Sequence, residues 1–387
     1  MKITEVDIFD VKLAPHVTDW NPVIIRINTD EGINGVGEVA LAYGTGSAAG
    51  VGMVRNLAEQ FLLGADPFRI EHLWDKMYRQ TFWAQGGGPV VFGGMSAVDE
   101  ALWDIKGKAL EVPVYELLGG CCQEKIRVYA SVCMGGECVE SEEYAKEAER
   151  LVSEGYTALK FDPFTGDSRK GEERSPKRAL DAERANLAYD RVKAVRNAVG
   201  SDVDIMVEAH GNLGTTSAIQ MGKRLEEFNP FFFEEPVDAL NVECMRKVAE
   251  NGDIPIAAGE RLYTRYGFRQ YIEGQVIDIL QPDVGLAGGI TETKKIATHA
   301  ETYNLHLQPH NCAGPVATAA AIQLDACMTN FIIQEWFPYH EEAHYRLVNQ
   351  ALEHQVVDGY LTISEAPGLG VELNDEVIDQ YPCLQVR

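Results

Sequence analysis

Positive charge is scarce in this chain of 387 residues: 34 Lys and Arg stand against 59 Asp and Glu, a formal net charge of −25 at pH 7. Nucleic-acid and anionic-membrane surfaces both need clustered basic side chains, so neither partner is expected. Long apolar runs are missing as well. No stretch approaches the roughly 20 apolar residues of a spanning helix, and the opening MKITEVDIFDVKL alternates with charges rather than carrying a signal core. The eight cysteines form no CxxC pair and no Cys/His zinc spacing. Reduced thiols in a cytoplasmic protein are expected, without a structural disulfide or zinc knuckle. The glycines of AGGIT, after Gln281, lack the dinucleotide-binding spacing.

What is present is the composition of a globular protein, 45% hydrophobic and 24% charged. The length exceeds a single core, which stops growing at roughly 250–300 residues. Residues 1–120 read as an α+β unit. MKITEVDIFDVKL and PVIIRINTDEGINGVGEVA alternate around turn signals, suggesting a strand meander. Helical spacing follows in SAAGVGMVRNLAEQFLLG and FRIEHLWDKMYRQTFW. A further helix is expected over MSAVDEALWDIKGKALEVPVYELLGG, capped by Ser96 and closed by Gly119 and Gly120.

Across residues 121–336 the pattern changes. IRVYAS, ALKF, VDIMVE, FFFEE, PIAAGE, VIDIL, LHLQ and FIIQE are eight strand candidates with helical segments between them. Eight βα units in about 210 residues point to an α/β (β/α)8 TIM barrel rather than an open doubly wound sheet. The charged stretch Gly166–Ala185 reads as a long loop. Residues 337–387 are left without a barrel partner and are expected to pack back on the N-terminal unit.

One spacing carries the chemistry. Glu208, Glu234 and Glu260 end successive strands 26 residues apart, and Asp283, His310 and Glu335 follow at intervals of 23, 27 and 25. Each interval is about one βα unit, so all six residues fall on the C-terminal rim, where barrel enzymes place their active sites. A single acidic residue after a strand is usually a solvated loop charge or a cap. Six in register crowd carboxylates that cannot all stay ionised without a counter-charge. Three carboxylate ligands without Cys or His suit a hard cation, Mg²⁺ rather than zinc. Such an ion would also let an acidic protein accept an anionic substrate.

Acid and base candidates surround that trio. Lys160 in ALKF would face the ion from the second strand. His210, two residues past Glu208, is expected on the same side by strand alternation. His310 beside Asp283 forms a carboxylate–imidazole pair suited to a general base, and Glu335 would meet the substrate from the last strand. His299 and His306 read as structural. Removing a proton beside a carboxylate creates a dianionic enediolate, whose charge a metal ion and a nearby ammonium can stabilise.

SAVDEALWDIKGKALEVPVYELLGG, VEAHGN, FFEEPV, IAAGERLYTRYGF, DILQPDVGLAGGITE, LQPHNCAGPVATAA, IQEW and APGLGVEL occur in order along essentially the whole chain. With them the sequence resembles the enolase superfamily in its mandelate-racemase-like subgroup, and within that the sugar-acid dehydratases of the galactonate dehydratase kind. The resemblance implies an α+β capping domain over a modified barrel. It implies one Mg²⁺ per subunit on Glu208, Glu234 and Glu260, with His310 and Asp283 taking the α-proton of a sugar acid. His210 would protonate the departing β-hydroxyl to give a 2-keto-3-deoxy acid. Lys160 and Glu335 would hold the substrate carboxylate and enediolate.

Loops around His16–Trp20 and Tyr43–Ala49 would select the substrate, with Trp20, Trp83, Arg261 and Tyr263 as possible contacts. A homo-oligomer is also implied. Two departures stand out. Relatives usually carry Asp where this chain has Glu208. Many racemases carry Lys-x-Lys where this chain has Lys160-Phe161-Asp162, which favours elimination over racemisation. An epimerase, a lactone cycloisomerase and a non-catalytic descendant are the alternatives.

Overall fold

The β-branched alternation near the start folds as an antiparallel meander of β1 (Ile3–Asp10), β2 (Val23–Thr29) and β3 (Asn34–Val39). Both faces of this sheet are covered. Val6, Ile8, Val23, Ile25 and Ile27 join the core of the N-terminal unit, whereas Phe9, Ile24 and Val36 join the barrel's core. The coordinates, a computed structural model, describe residues 1–13, 20–41, 46–133, 138–166, 179–337 and 342–387.

Helices α1 (Ser47–Leu57), α2 (Ile70–Gln80), α3 (Pro89–Leu110) and α4 (Val114–Leu117) complete the unit. The single helix expected after Met95 is thus two. α3 begins earlier, with Pro89 in its first turn, and stops at Glu111 in a left-handed conformation. Ser96 is not a cap but a buried mid-helix residue, donating to the Phe92 carbonyl and accepting from the Gly288 N–H. Its neighbours Glu100 and Asp104 accept from the backbone N–H groups of Glu38 and Val36 and fasten α3 to β3.

The barrel alternates strand and helix in chain order. It runs β4 (Lys125–Ser131), α5 (Ser141–Ser153), β5 (Ala158–Phe161), α6 (Ala182–Val199), β6 (Asp204–Glu208) and α7 (Thr215–Leu225). It continues with β7 (Phe232–Glu234), α8 (Val242–Ala249), β8 (Ile256–Ala258), α9 (Thr264–Glu273) and β9 (Ile279–Leu280). It ends with α10 (Gly289–Glu301), β10 (His306–Leu307), α11 (Pro315–Ala326) and β11 (Gln334–Trp336). All neighbouring strands are parallel. A bridge between Leu307 and Phe331 brings β10 to the approach of β11, which pairs with β4, and the ring closes. The (β/α)8 barrel with an N-terminal α+β unit, expected from the sequence, is what forms.

The tail meets the N-terminal unit as expected, through residues 383–386, but it also departs from expectation. β12 (Tyr360–Thr362) does find a barrel partner, running antiparallel to Lys125–Arg127 of β4. Those residues precede the part of β4 that pairs with β5 and β11, so they offer a free edge. β13 (Cys383–Val386) pairs with β1 in the N-terminal sheet. Cys133 and Cys138 are joined as a disulfide, against the expected reduced thiols, while the other six cysteines are free. Cys133, two residues past β4, has a left-handed φ of 53°, and the two Cα atoms are 5.5 Å apart, within disulfide reach. Most of the expected long loop, residues 167–178, lies outside the described residues. Among those residues, no helix is long and apolar enough to cross a membrane.

Candidate active site

The barrel's interior is layered. Tyr129, Ala158, Met206, Phe232, Ala257, Ile279 and Ile333, one from each of seven strand segments, pack into a closed apolar plug. Inward positions recur every second residue along a strand. The next inward positions toward the C-terminal ends are therefore Ser131, Lys160, Glu208, Glu234, Gly259, Gln281 and Glu335. Among these, Ser131, Lys160, Glu208, Glu234, Gln281 and Glu335 are all buried. One step along the strands turns an oily floor into a polar ring.

Register places the acids of this ring side by side. Glu208 of β6 pairs directly with Glu234 of β7. Glu260 lies three residues past Ala257, out of phase with the alternation. Gly259 corrects the phase with a φ of 153°, and a Cβ there would come within 2.7 Å of the Gln281 backbone. Only glycine can make that step.

Lys160 stands among the carboxylates. Its Nζ is 2.9 Å from Glu234 Oε2, 2.7 Å from Glu335 Oε1 and 3.5 Å from Glu208 Oε2. The Arg261 guanidinium contacts both Glu235 and Glu260. Even so, negative charge is in excess. Asp162, Glu208, Glu234, Glu235, Glu260, Asp283 and Glu335 are seven carboxyls, met by Lys160, Arg261, His210 and His310. With every one of these groups ionised, three negative charges would remain uncompensated, and burial raises the Glu235 carboxyl to about 8. The strain is visible at Glu234, where burial and the Glu208 charge push the carboxyl well above its usual range despite Lys160.

This imbalance is the test of whether a cation fits. The donors are all hard carboxylate oxygens, Glu208 and Glu234 are register neighbours, and Oε1 of the adjacent Glu235 is buried without a hydrogen-bond partner among the described residues. That set suits a divalent hard cation. Among the described residues, no three acidic, imidazole or thiol side chains are already gathered in coordination geometry. Lys160, Arg261 and His310 lie between the carboxylates instead.

Two imidazole–carboxylate pairs flank the ring. His310, three residues past β10, has Nδ1 2.7 Å from Asp283 Oδ2 and Nε2 3.1 Å from Glu260 Oε2. His210 has Nδ1 2.8 Å from Asp162 Oδ2. It does not arrive by strand alternation as expected. β6 has ended, and His210 turns in with a left-handed φ of 47° while its backbone N–H donates to Glu208 Oε1 at 2.6 Å. A carboxylate at Nδ1 holds the proton there and leaves Nε2 for chemistry. β6 is the third and β10 the seventh strand of the closed ring, so the two pairs enter from opposite sides.

The charges of these imidazoles follow from their neighbours. Burial pulls His210 down, but Glu208 and Asp162 outweigh it and hold the ring up at about 10. Burial likewise opposes protonation of His310, and Glu260 and Glu335 overcome it, pushing it well above its usual value. Burial raises the Asp283 carboxyl against the pull of His310. In Glu260, burial is outweighed by His310 and Arg261, and the carboxyl sits well below its usual range.

All eight residues singled out from the sequence meet at this mouth. Spacing alone missed Asp162, Glu235 and Gln281. Asp162 was visible as the third residue of Lys160-Phe161-Asp162, and Gln281 as the inward position after Ile279. Of the suggested selectivity residues, Trp20 is buried against the His344 ring and Trp83 is exposed. Tyr263 packs on Phe92, and Arg261 reaches the acidic ring. Positions 16–19 and 43–45 lie outside the described residues.

Known proteins resemble the chain along its full length. The family described as "Mandelate racemase / muconate lactonizing enzyme, N-terminal domain" matches residues 4–119, and "Enolase C-terminal domain-like" matches residues 143–377. The D-galactonate dehydratases of Variovorax paradoxus (strain S110) and Ralstonia pickettii (strain 12J) are 38% and 36% identical to it. Each comparison covers 98% of this chain and 94% of the relative. A solved member of the enolase superfamily from Salmonella Typhimurium is 43% identical, with a TM-score of 0.94 and full coverage of both chains. A mandelate racemase/muconate lactonizing enzyme from Jannaschia sp. CCS1 is 33% identical, with a TM-score of 0.88, covering 98% of this chain and 97% of the other. The chain belongs to the enolase superfamily, in its mandelate racemase/muconate lactonizing branch.

Proposed function

We propose that this protein is a hydro-lyase that dehydrates a sugar acid, an aldonate of the galactonate or gluconate type, with Mg²⁺ held by Glu208, Glu234 and Glu260. The observation that carries the reading is the pair of His–Asp dyads facing each other across one buried acidic ring. The relatives named D-galactonate dehydratase support the substrate class. When bound, the cation supplies Lewis-acid charge for the substrate carboxylate.

The remaining steps belong to side chains. His310, oriented through Nδ1 by Asp283, takes the α-proton at Nε2. Lys160 faces the negative charge that develops on the carboxylate oxygens, and Glu335 fixes Lys160 through its 2.7 Å contact. His210, held protonated by Asp162 and Glu208, gives a proton to the β-hydroxyl, which leaves as water. The enol tautomerises to a 2-keto-3-deoxy acid. Atoms balance: one α-proton and one hydroxyl leave, and the acid and base each return to their starting state by exchange with solvent.

A screen of C5 and C6 mono- and diacid sugars, read as keto acid with semicarbazide, tests this. Turnover is expected on at least one aldonate, abolished by a chelator and restored by Mg²⁺. A second reading, epimerisation or lactone cycloisomerisation, draws on the same opposed dyads. Solvent deuterium entering the α-position without any keto acid would favour it and defeat the lyase reading.

A further inference from the structure

One buried carboxylate works away from the barrel mouth. Glu38 lies in β3 of the N-terminal unit and has no exposed surface. Its Oε1 accepts the Gly314 N–H at 2.6 Å and its Oε2 the Ala317 N–H at 3.2 Å. These groups stand at the start of α11, where helix N–H groups have no partner within the helix. α11 supplies no side-chain cap of its own, since Gly314 occupies the cap position and Pro315 follows. The missing acceptor comes from the other folding unit, 276 residues earlier in the chain. Gly314 is shaped to receive it: a Cβ there would stand 2.5 Å from Glu38 Oε1 and 2.8 Å from Cδ.

Gly314 also ends the short stretch that begins at His310. The front of that stretch is held inside the barrel. Asn311 N–H donates to Glu335 Oε2 at 2.9 Å, and His310 Nδ1 meets Asp283 at 2.7 Å. The back of it is held by Glu38. The loop carrying one of the two imidazoles is therefore tied at one end to the acidic ring and at the other to a different unit.

We propose that Glu38 is a positioning residue that acts through the 310–314 loop to aim the His310 ring, beyond any role in joining the two units. The kinetic arm rests on the lyase reading, while the structural arm does not. The test compares the full-length wild type with Glu38→Gln, Glu38→Ala and Gly314→Ala, each with Mg²⁺. A methyl at position 314 pushes the carboxylate away while keeping Glu38 itself.

The amides of residues 311–314, 316 and 317 should exchange with deuterium at least about tenfold faster in all three variants, while Mg²⁺ affinity by calorimetry stays within about twofold. On an accepted sugar acid, kcat should fall roughly 10-fold for Glu38→Gln and up to roughly 100-fold for Glu38→Ala, with KM changed by less than about threefold. The α-deuterium isotope effect on kcat should rise as proton removal becomes limiting. Wild-type amide exchange in folded Glu38→Gln and Gly314→Ala would overturn the proposal. So would a loss of turnover that matches the loss of folded protein with the isotope effect unchanged. If Glu38→Ala does not fold, the two milder variants decide. If the wild type acts on no sugar acid, the lyase reading fails, and amide exchange alone decides for Glu38.

Discussion

The two imidazole–carboxylate pairs share a plan and differ in setting. His310 follows β10, pairs with Asp283, and presents Nε2 to Glu260 at 3.1 Å. His210 follows β6 through a left-handed turn, pairs with Asp162, and is tied by its backbone to Glu208. The first has carboxylates at both ring nitrogens, the second at Nδ1 and at its main chain. That difference separates a ring whose proton depends on what Glu260 is doing from a ring kept protonated by its own support. In such a site, one residue type can serve as base on one side and acid on the other.

The largest break in this comparison should come from the rings themselves. His310→Asn is expected to abolish α-proton exchange, lowering kcat/KM at least about 10⁴-fold, whereas His210→Asn should permit exchange and block water loss. Proton NMR in D₂O and the keto-acid assay together check this, and equal loss of exchange in both variants would refute the division of roles. Next comes the acidic ring, which both pairs share. Glu234→Gln should weaken Mg²⁺ binding roughly 10–100-fold by calorimetry and suppress both exchange and elimination.

Supporting carboxylates should separate the sides more gently. Asp162→Asn is expected to slow elimination about 10–100-fold with α-exchange nearly intact, and Asp283→Asn to slow exchange itself. Reversal of that pattern in single-turnover measurements would show that acid and base had been exchanged.

The smallest effect lies outside both pairs, in α3. Burial pushes the Asp99 carboxyl from 3.8 up to about 7, against the pull of Thr291. A folded value above the unfolded one contributes stability at low pH, which is lost as pH rises from about 4 through about 7. Asp99→Asn should therefore raise Tm relative to wild type more at pH 8 than at pH 5, by a few degrees at most. Parallel Tm curves across that range would show that Asp99 titrates normally.

Much of this was legible before any coordinates. The 26-residue spacing of Glu208, Glu234 and Glu260 works because one strand, one helix and two loops have a nearly fixed length, so rim residues repeat at that period. The α3 boundary was not legible, because MSAVDEALWDIKGKAL and VYELLGG share helical periodicity across a break made by backbone conformation at Glu111. His210 reached its place for a reason alternation does not contain, a left-handed turn at a non-glycine residue. In the sequence Asp162 stands out only as the residue in place of a second lysine. Its own partner lies 48 residues away, just past the end of the next strand, a distance no local pattern encodes. The contact of Glu38 with Gly314 spans 276 residues and is a property of how two units meet.

The pairing of β13 with β1 has a consequence for how the molecule is made. During synthesis β1 emerges before both its neighbours; β2 soon covers one side, and the strand for the other edge is nearly 380 residues away. Until residues 383–386 leave the ribosome, that edge offers free N–H and C=O groups to any passing strand. A nascent chain stalled between β11 and β13 would thus hold its barrel strands beside an open seam. Such a chain should be prone to edge-to-edge aggregation and early proteolysis.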